Sequence, residues 1–271
     1  MIQHALRIAE DDAQRSAHLR HLLVEDASHG MARPTRPIPR VIVQFWHDPA
    51  EVPSDVAECI DTWRPLIERG FNHALFDDAT ARVFISRFLG GTHTAAFDRC
   101  RHPAMRCDYF RLCWMLLRGG FYVDADECYL GANCDELFAD GRLKVQPLCY
   151  DLSAESMIPA SVILNEEERS AERIYYVNNN PLVAPREHPV IRLALERATR
   201  LLLHSNPSRD IQSTTGPGNL TASLVRHSVD RGEAKPRDFA FLFGWDAISV
   251  SRWPLSYRED ERNWRLWSDA R

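Results

Sequence analysis

The chain has 271 residues, 45% of them hydrophobic and 26% charged, which is typical of a globular protein. Its net charge of −5 gives no support to nucleic acid or an anionic membrane as a partner. No apolar run approaches the ~20 residues that span a bilayer, and the first residues lack the apolar segment of a signal peptide. The seven cysteines form no CxxC pair, which argues against a zinc ribbon and favours a reducing, cytoplasmic location.

Residues 1–37 are predicted to form a helical N-terminal extension that ends in a proline-rich linker. Apolar residues recur at helical spacing before the linker, and Pro34, Pro37 and Pro39 then favour an extended backbone. We therefore assign residues 38–271 to one main domain. The N-terminal helices could pack on this domain, form a dimer contact or touch an acceptor, and the sequence leaves these three roles open.

The main domain is predicted to alternate strands with helices. Short β-branched or aromatic runs predict strands at 41–46, 73–77, 121–123 and 239–243, and residues 173–185 favour a strand pair interrupted by polar residues. Capping residues or a proline precede predicted helices at 54–63, 78–88, 104–118, 188–205 and 214–229. This alternation predicts an α/β fold in which helices flank a mostly parallel sheet.

Two of the predicted strands end in residues that suit a ligand site. Trp46 follows the first strand, and Asp124 follows strand 121–123. Because ligands of open α/β sheets bind beyond the carboxyl ends of the strands, we expect both residues on one rim. At the end of a strand Trp46 could equally be a core residue.

Asp124 and Asp126 are two residues apart in a segment that is predicted to be extended. Their side chains therefore point to the same side of the backbone. Two carboxylates this close need a positive charge between them, and hard oxygen ligands suit Mg²⁺ or Mn²⁺. A solvated acidic turn is the alternative interpretation of the same residues.

Asp108 and Arg111 are three residues apart on a predicted helix, so they lie on one helical face. They could form an ion pair at the helix surface. Alternatively, the carboxylate could hold a sugar hydroxyl and the guanidinium a phosphate or carbohydrate oxygen.

The stretch MRCDYFRLCWMLLRGGFYVDAD resembles a sequence block of glycosyltransferases that carry a DxD motif. The block reads D-x-x-R, about seven residues, then G-G-x-Y-x-D-x-D, and it occurs in family 32 and more distantly in the clostridial glucosylating toxins. Residues 38–48, 179–189 and 215–217 resemble further blocks of family 32 and follow the family order. The chain departs from the family pattern at Val43, where the family has His, and at Asn180, where it has Ala.

The resemblance implies a GT-A-type fold, a UDP- or GDP-linked sugar as the donor, a Mn²⁺ or Mg²⁺ ion, and retention at the anomeric carbon. It implies that Asp124 and Asp126 bind the metal and the donor diphosphate, and that these two residues and Arg111 are catalytic. The resemblance further implies a donor pocket formed by Trp46, Asp108, Arg111, Tyr122, Asp124, Asn179, Ser251 and Trp253. For Trp253 a packing role is the alternative, because four tryptophans lie near the C-terminus.

The predicted reaction is transfer of a hexose to a hydroxyl of a saccharide or a lipid-linked acceptor. A lipid-linked acceptor would be compatible with peripheral contact at the inner face of a membrane. Two other functions stay open: a carbohydrate-binding or inactive transferase-like module, and a phosphatase whose nucleophilic aspartate ends a strand in a D-x-D pattern. The sequence does not distinguish the donor sugars.

Overall fold

The computed structural model describes residues 2–25, 36–163, 172–204, 210–232 and 235–267. The α-helices among them are α1 (Ile2–Glu10), α2 (Asp12–Glu25), α3 (Ser54–Asp61), α4 (Arg64–Glu68), α5 (Asp78–Leu89), α6 (Gly91–Asp98), α7 (Pro103–Leu117), α8 (Ala160–Ile163), α9 (Pro189–Leu203), α10 (Ile211–Thr214) and α11 (Pro217–Arg231). Within these segments, no helix has both the length and the apolar character needed to cross a membrane.

The strands of the same segments are β1 (Val41–Phe45), β2 (Asn72–Phe76), β3 (Gly120–Tyr122), β4 (Glu127–Tyr129), β5 (Leu143–Asp151), β6 (Ser156–Ile158), β7 (Arg173–Ala184), β8 (Phe239–Phe241) and β9 (Ser249–Ser251). Short 3₁₀ turns lie at Pro49–Glu51, Asp135–Phe138, Trp245–Ala247 and Ser256–Glu259. The predicted strands at β1, β2, β3 and β8 are confirmed, and so are the predicted long helices α7, α9 and α11.

The central sheet has seven strands in the described segments, in the order β2-β1-β3-β7-β5-β6, with β8 beside β5. β2, β1 and β3 are parallel neighbours, and β7 runs in the opposite direction between β3 and β5. β8 is parallel to β5, and β6 is antiparallel to it. Five of the seven strands (β1, β2, β3, β5 and β8) therefore share one direction, which confirms the mixed, mostly parallel sheet.

Residues 173–184 form one continuous strand of 12 residues, so the predicted interrupted strand pair is wrong. The pairing of β7 with β5 is irregular at residues 178–181, which lie opposite Gln146 alone, although the strand continues through them. The side chains of Asn178, Asn179 and Asn180 find hydrogen-bond partners on neighbouring elements. β5 was missed because Lys144, Gln146 and Pro147 interrupt its apolar pattern.

The two N-terminal helices pack on the main domain. Leu19, Leu22 and Leu23 of α2 are buried in the largest hydrophobic cluster, and α1 lies against α11. Ser16 Oγ accepts a hydrogen bond of 2.9 Å from the backbone N–H of Tyr175 in β7. Of the three roles that the sequence leaves open, packing is therefore observed. The predicted domain border stays a prediction, because residues 26–35, which include the start of the predicted linker, lie outside the described residues.

The turn between α7 and β3 brings a polar helix face against the end of a central strand. Gly119 and Gly120 have φ values of +65° and +108°, which residues with a side chain rarely adopt. A Cβ atom at Gly119 would lie 2.7 Å from the Ala184 carbonyl oxygen, and one at Gly120 would lie 2.5 Å from Val41 Cγ1. Two glycines are therefore needed for the chain to reverse and enter the sheet at this point.

His188 caps α9 in one neutral tautomer. Its Nδ1 accepts the backbone N–H of Val190 at 3.3 Å, and its Nε2 donates to the carbonyl oxygen of Asp238 at 3.0 Å. Burial lowers the pKa of His188 to about 4, because the charged ring would lose its hydration. Protonation would also place a hydrogen on Nδ1, where the ring now accepts one.

We predict that His188 makes the free energy of unfolding depend on pH below the ordinary histidine pKa of about 6.5. Because the pKa is lower in the folded state, the unfolded chain takes up the proton first. The stability is therefore complete above that pH and is lost as the pH falls toward 4. At a pH of about 5, this loss amounts to about 2 kcal/mol.

Urea unfolding of the wild-type protein and of His188→Asn near neutral pH and in mild acid measures this dependence. Asparagine keeps an oxygen that caps the helix but does not titrate. The variant should lose the acid-dependent part of the unfolding free energy. An equally steep pH dependence in His188→Asn would contradict the prediction.

Candidate active site

A cleft of about 490 Å³ opens at the carboxyl ends of β1 and β3. The predicted site residues that line it are Trp46, Asp108, Arg111, Asp124, Asp126, Asn179, Ser251 and Trp253. The expected common rim of Trp46 and Asp124 is observed, because β1 and β3 are parallel neighbours. Gln44 of β1 also donates through Nε2 to the Asp124 carbonyl oxygen at 3.2 Å.

Arg111 lies at the centre of the site and connects three elements. Its Nη2 lies 2.6 Å from Asp124 Oδ1 and 3.4 Å from Asp108 Oδ1. Its Nη1 donates to the Asn179 carbonyl oxygen at 2.5 Å. The Arg111 side chain is only 2% exposed, so its pair with Asp108 is not the surface ion pair that the spacing alone would allow.

Both carboxylate oxygens of Asp108 accept hydrogen bonds. Oδ1 accepts Asn179 Nδ2 at 2.7 Å, and Oδ2 accepts the Thr215 hydroxyl at 3.3 Å. Burial raises the pKa of Asp108, and the Arg111 guanidinium opposes this shift. A Cβ atom at Gly216 would lie 3.4 Å from Asp108 Oδ2, so the Thr-Gly-Pro turn packs directly against this carboxylate.

Tyr122 lies beneath the cleft and not in its wall, which differs from the expected position. The side chain is fully buried, and its hydroxyl lies 2.9 Å from Cys107 Sγ. The Arg111 guanidinium carbon lies 4.3 Å from the centre of the Tyr122 ring. Tyr122 therefore supports Arg111 from below through a cation–π contact.

The charges of Asp124 and Asp126 are balanced by two different arginines. Asp124 pairs with Arg111, whereas Asp126 Oδ2 accepts the Tyr257 hydroxyl at 2.7 Å and is paired with Arg258 Nη2. Withdrawal from water raises the pKa of Asp124; Arg111 opposes this shift and the Asp126 carboxylate adds to it. The close spacing of the two carboxylates predicted a positive charge at this pair, but neither arginine was predicted as its source.

Glu127 belongs to a buried network of hydrogen bonds that was not predicted from the sequence. Its Oε2 accepts the Ser249 hydroxyl at 2.6 Å, and its Oε1 accepts Asn180 Nδ2 at 3.1 Å. Asn180 Oδ1 in turn accepts the backbone N–H of Asp124 at 2.9 Å. Burial raises the pKa of Glu127 to about 7. This hydrogen-bond network fixes the backbone of the acidic pair. The network depends on Asn180, one of the two departures from the family pattern.

The C-terminal segment supplies the far wall of the cleft. In the antiparallel pair of β4 and β9, Ser251 lies opposite Glu127. The backbone N–H of Arg252 donates to the Asp126 carbonyl oxygen at 3.0 Å. Trp253 is 60% exposed, so it is not a core residue. Trp245, in contrast, is buried in a core cluster.

Trp46 lines the wall of the cleft and also packs against the core. Its Nε1 donates to the Glu51 carbonyl oxygen at 3.3 Å, and the residue is 8% exposed. The Tyr257 ring meets it edge-to-face at 5.2 Å between ring centres. Both interpretations that the sequence left open for Trp46 are therefore compatible with its position.

Comparisons with known proteins support the fold. No family model matches the chain, so membership of family 32 stays a prediction. The chain is 23% identical over 199 residues to the initiation-specific alpha-1,6-mannosyltransferase of Schizosaccharomyces pombe, covering 69% of this chain and 48% of that protein. It thus spans about half the length of this relative.

Among solved structures, PaToxG Glycosyltransferase superposes with a TM-score of 0.51 at 16% identity. The match covers 80% of this chain and 78% of that chain. At this identity the likeness concerns the fold alone. It confirms the GT-A-type α/β fold that the sequence predicts.

We predict that Arg111→Met lowers the free energy of unfolding by about 3–5 kcal/mol, because it leaves Asp108 and Asp124 without their buried counter-ion. Arg64→Met is the matched control, since Arg64 pairs with Asp61 at the surface and its side chain is 72% exposed. Urea unfolding near neutral pH should show a change within about 0.5 kcal/mol for the control. Equal effects of the two variants would contradict a central role for Arg111.

Proposed function

We propose that the chain is a metal-dependent, retaining glycosyltransferase. It moves a hexose from a UDP- or GDP-linked sugar to a hydroxyl of a saccharide or a lipid-linked acceptor. The observation that carries the proposal is the convergence of Asp108, Arg111, Asp124, Asp126 and Asn179 on one cleft at the carboxyl ends of parallel strands. The similarity to a mannosyltransferase and the fold shared with a glycosyltransferase structure support it.

The oxygen atoms around Asp126 fit a hard divalent cation. Asp126 Oδ1 accepts no hydrogen bond from the described residues, and the Asp124 carboxylate and Ser251 hydroxyl line the same cleft. The described residues contain no group of three or more His, Cys, Asp or Glu side chains that could hold a metal alone. A Mg²⁺ or Mn²⁺ ion would therefore take further oxygens from the donor diphosphate and water, as is common for these ions.

When bound, such an ion would neutralise the negative charge that develops on the departing nucleoside diphosphate. The protein adds a fixed charge of its own, because Arg111 is held rigidly between Asp124 and the Asn179 carbonyl oxygen. A charge that is already oriented needs no rearrangement during the reaction. Asp108 and Asn179 lie beside it, where they would contact the ribose or the sugar.

For this transfer we propose substitution from the front face of the sugar and no covalent glycosyl-enzyme. Both oxygens of Glu127 are hydrogen-bonded inside the protein, and so are both oxygens of Asp108. Neither of these two carboxylates is therefore placed to attack the anomeric carbon. The acceptor hydroxyl would instead approach on the face that the diphosphate leaves and pass its proton to a diphosphate oxygen.

We predict that Asp126→Asn reduces transfer and donor hydrolysis by at least about 100-fold, because a neutral amide is a poor ligand for a divalent cation. Release of UDP or GDP from sugar nucleotides in the presence of Mn²⁺ measures both reactions. Asp61→Asn is the control, since Asp61 is an exposed carboxylate that does not line the cleft. Near-normal turnover of Asp126→Asn would contradict the metal assignment.

The same assay separates the other two functions. Release of inorganic phosphate would favour the phosphatase, and a protein that binds a sugar but releases neither product would favour the binding module. The donor can be identified from thermal shifts with a panel of nucleotide sugars and Mn²⁺, because bound donor stabilises the fold by RT ln(1 + [L]/Kd). The anomeric configuration of the product, measured by NMR, tests retention.

A further inference from the structure

Arg258 forms an ion pair with Asp126, the carboxylate that is the metal ligand in the proposed function. It lies in the 3₁₀ turn Ser256–Glu259, and its Nη2 contacts Asp126 Oδ2. The same nitrogen lies 3.5 Å from Ser251 Oγ. The Arg258 side chain is 11% exposed and the Asp126 side chain 14%, so the pair is largely withdrawn from water.

The contacts of Arg258 leave part of its hydrogen-bonding capacity unused. Its Nε is buried and has no hydrogen-bond partner among the described residues, and the same is true of Arg111 Nε. A buried N–H without a partner is costly, and a bound ligand or water is one way in which native proteins satisfy such a group. Both guanidinium groups line the same cleft, where phosphate oxygens are the acceptors that they fit best.

The surroundings of Arg258 hold it over the cleft without fixing it to one acceptor. Its guanidinium carbon lies 3.8 Å from the centre of the Trp253 ring and 5.3 Å from that of Tyr257. Stacking on an exposed tryptophan orients the plane of the guanidinium without a directional hydrogen bond to the ring. A charge held in this way can leave Asp126 while it stays in the cleft.

From these contacts we propose that Arg258 is an exchangeable counter-ion. Without a donor it neutralises Asp126; when a nucleoside diphosphate enters with its divalent cation, the cation takes Asp126 and Arg258 moves onto the phosphate oxygens. The exchange rests on the proposed function, because it needs a diphosphate and a metal in this cleft. It assigns to Arg258 a specific role as a diphosphate contact that also competes with the metal.

The exchange predicts effects of opposite sign for Arg258→Gln. Loss of the competing charge should tighten the binding of Mn²⁺ alone by about fivefold, which corresponds to about 1 kcal/mol of binding free energy. Loss of the phosphate contact should weaken the binding of UDP or GDP with Mn²⁺ by about tenfold or more. A residue with a merely structural role would weaken both.

Two titrations test the prediction on the full chain. Electron paramagnetic resonance of free Mn²⁺ follows the binding of the metal alone, and calorimetry follows the binding of UDP and GDP at saturating Mn²⁺. Arg82→Gln is the matched control, because it breaks a bidentate pair with Asp98 outside the cleft and should change neither affinity. Arg258→Lys keeps the charge but loses the planar fork, so it should leave Mn²⁺ affinity near the wild-type value and weaken diphosphate binding.

If Arg258→Gln does not fold, Arg258→Lys carries the test alone. Unchanged or weaker Mn²⁺ binding in a folded Arg258→Gln would overturn the exchange, and so would unchanged diphosphate binding in either variant. Wild-type nucleotide binding that needs no Mn²⁺ would overturn it as well. Failure of the wild-type protein to bind any nucleoside diphosphate would overturn the proposed function itself, so the two failures are distinguishable.

Discussion

The site depends on one buried cation. Arg111 joins Asp108 on its own helix, Asp124 at the end of β3 and the Asn179 carbonyl oxygen on β7. A guanidinium at this depth would be very unfavourable without such partners, and the carboxylates would be equally unfavourable without it. The packing of the three elements is therefore coupled to these contacts, which fix the floor of the cleft.

A second layer of contacts holds the acidic pair in place around this cation. The end of β3 is fixed by the hydrogen-bond network that runs from Ser249 through Glu127 and Asn180 to the Asp124 backbone. The pairing of β4 with β9 places the C-terminal wall of the cleft beside it. Asp126 differs from Asp124 in that its counter-ion, Arg258, comes from a short turn and is stacked on an exposed tryptophan. Arg111 thus neutralises Asp124, and Arg258 neutralises Asp126. This division suits a site in which Arg111 stays in place and Arg258 is replaced by another cation.

The sequence predicted those parts of the fold and site that follow from local pattern. Apolar runs and the two glycines after α7 located β1, β3 and α7. The sequence also predicted that Asp124 and Asp126 share one side, and both line the cleft. The predicted extended segment is wrong, because these residues lie in a turn in which the backbone N–H of Glu127 donates to the Asp124 carbonyl oxygen at 3.2 Å. The spacing of Asp108 and Arg111 predicted their proximity but not their burial, because burial depends on the distant residues Asn179 and Thr215.

Other features could not be read from local pattern. Three consecutive asparagines look like a break in a strand, yet each has a partner that is remote in sequence, on β5, α7 or β4. The strand therefore continues through an irregular stretch of its pairing with β5. Glu127 looked like one more acid in an acidic stretch, and its partners Asn180 and Ser249 are remote in sequence. Arg258 stands among other charged residues near the C-terminus, and only the fold brings it to Asp126.

The central claim is that the cleft binds a nucleoside diphosphate through a divalent cation at Asp126. The most direct measurement is anomalous diffraction at the manganese edge from crystals grown with UDP or GDP and Mn²⁺. We predict a single strong manganese peak within coordination distance of Asp126 and of the diphosphate, with Arg111 beside the phosphates. A nucleotide bound in another cleft, or a diphosphate at Asp126 without a metal peak, would contradict the account.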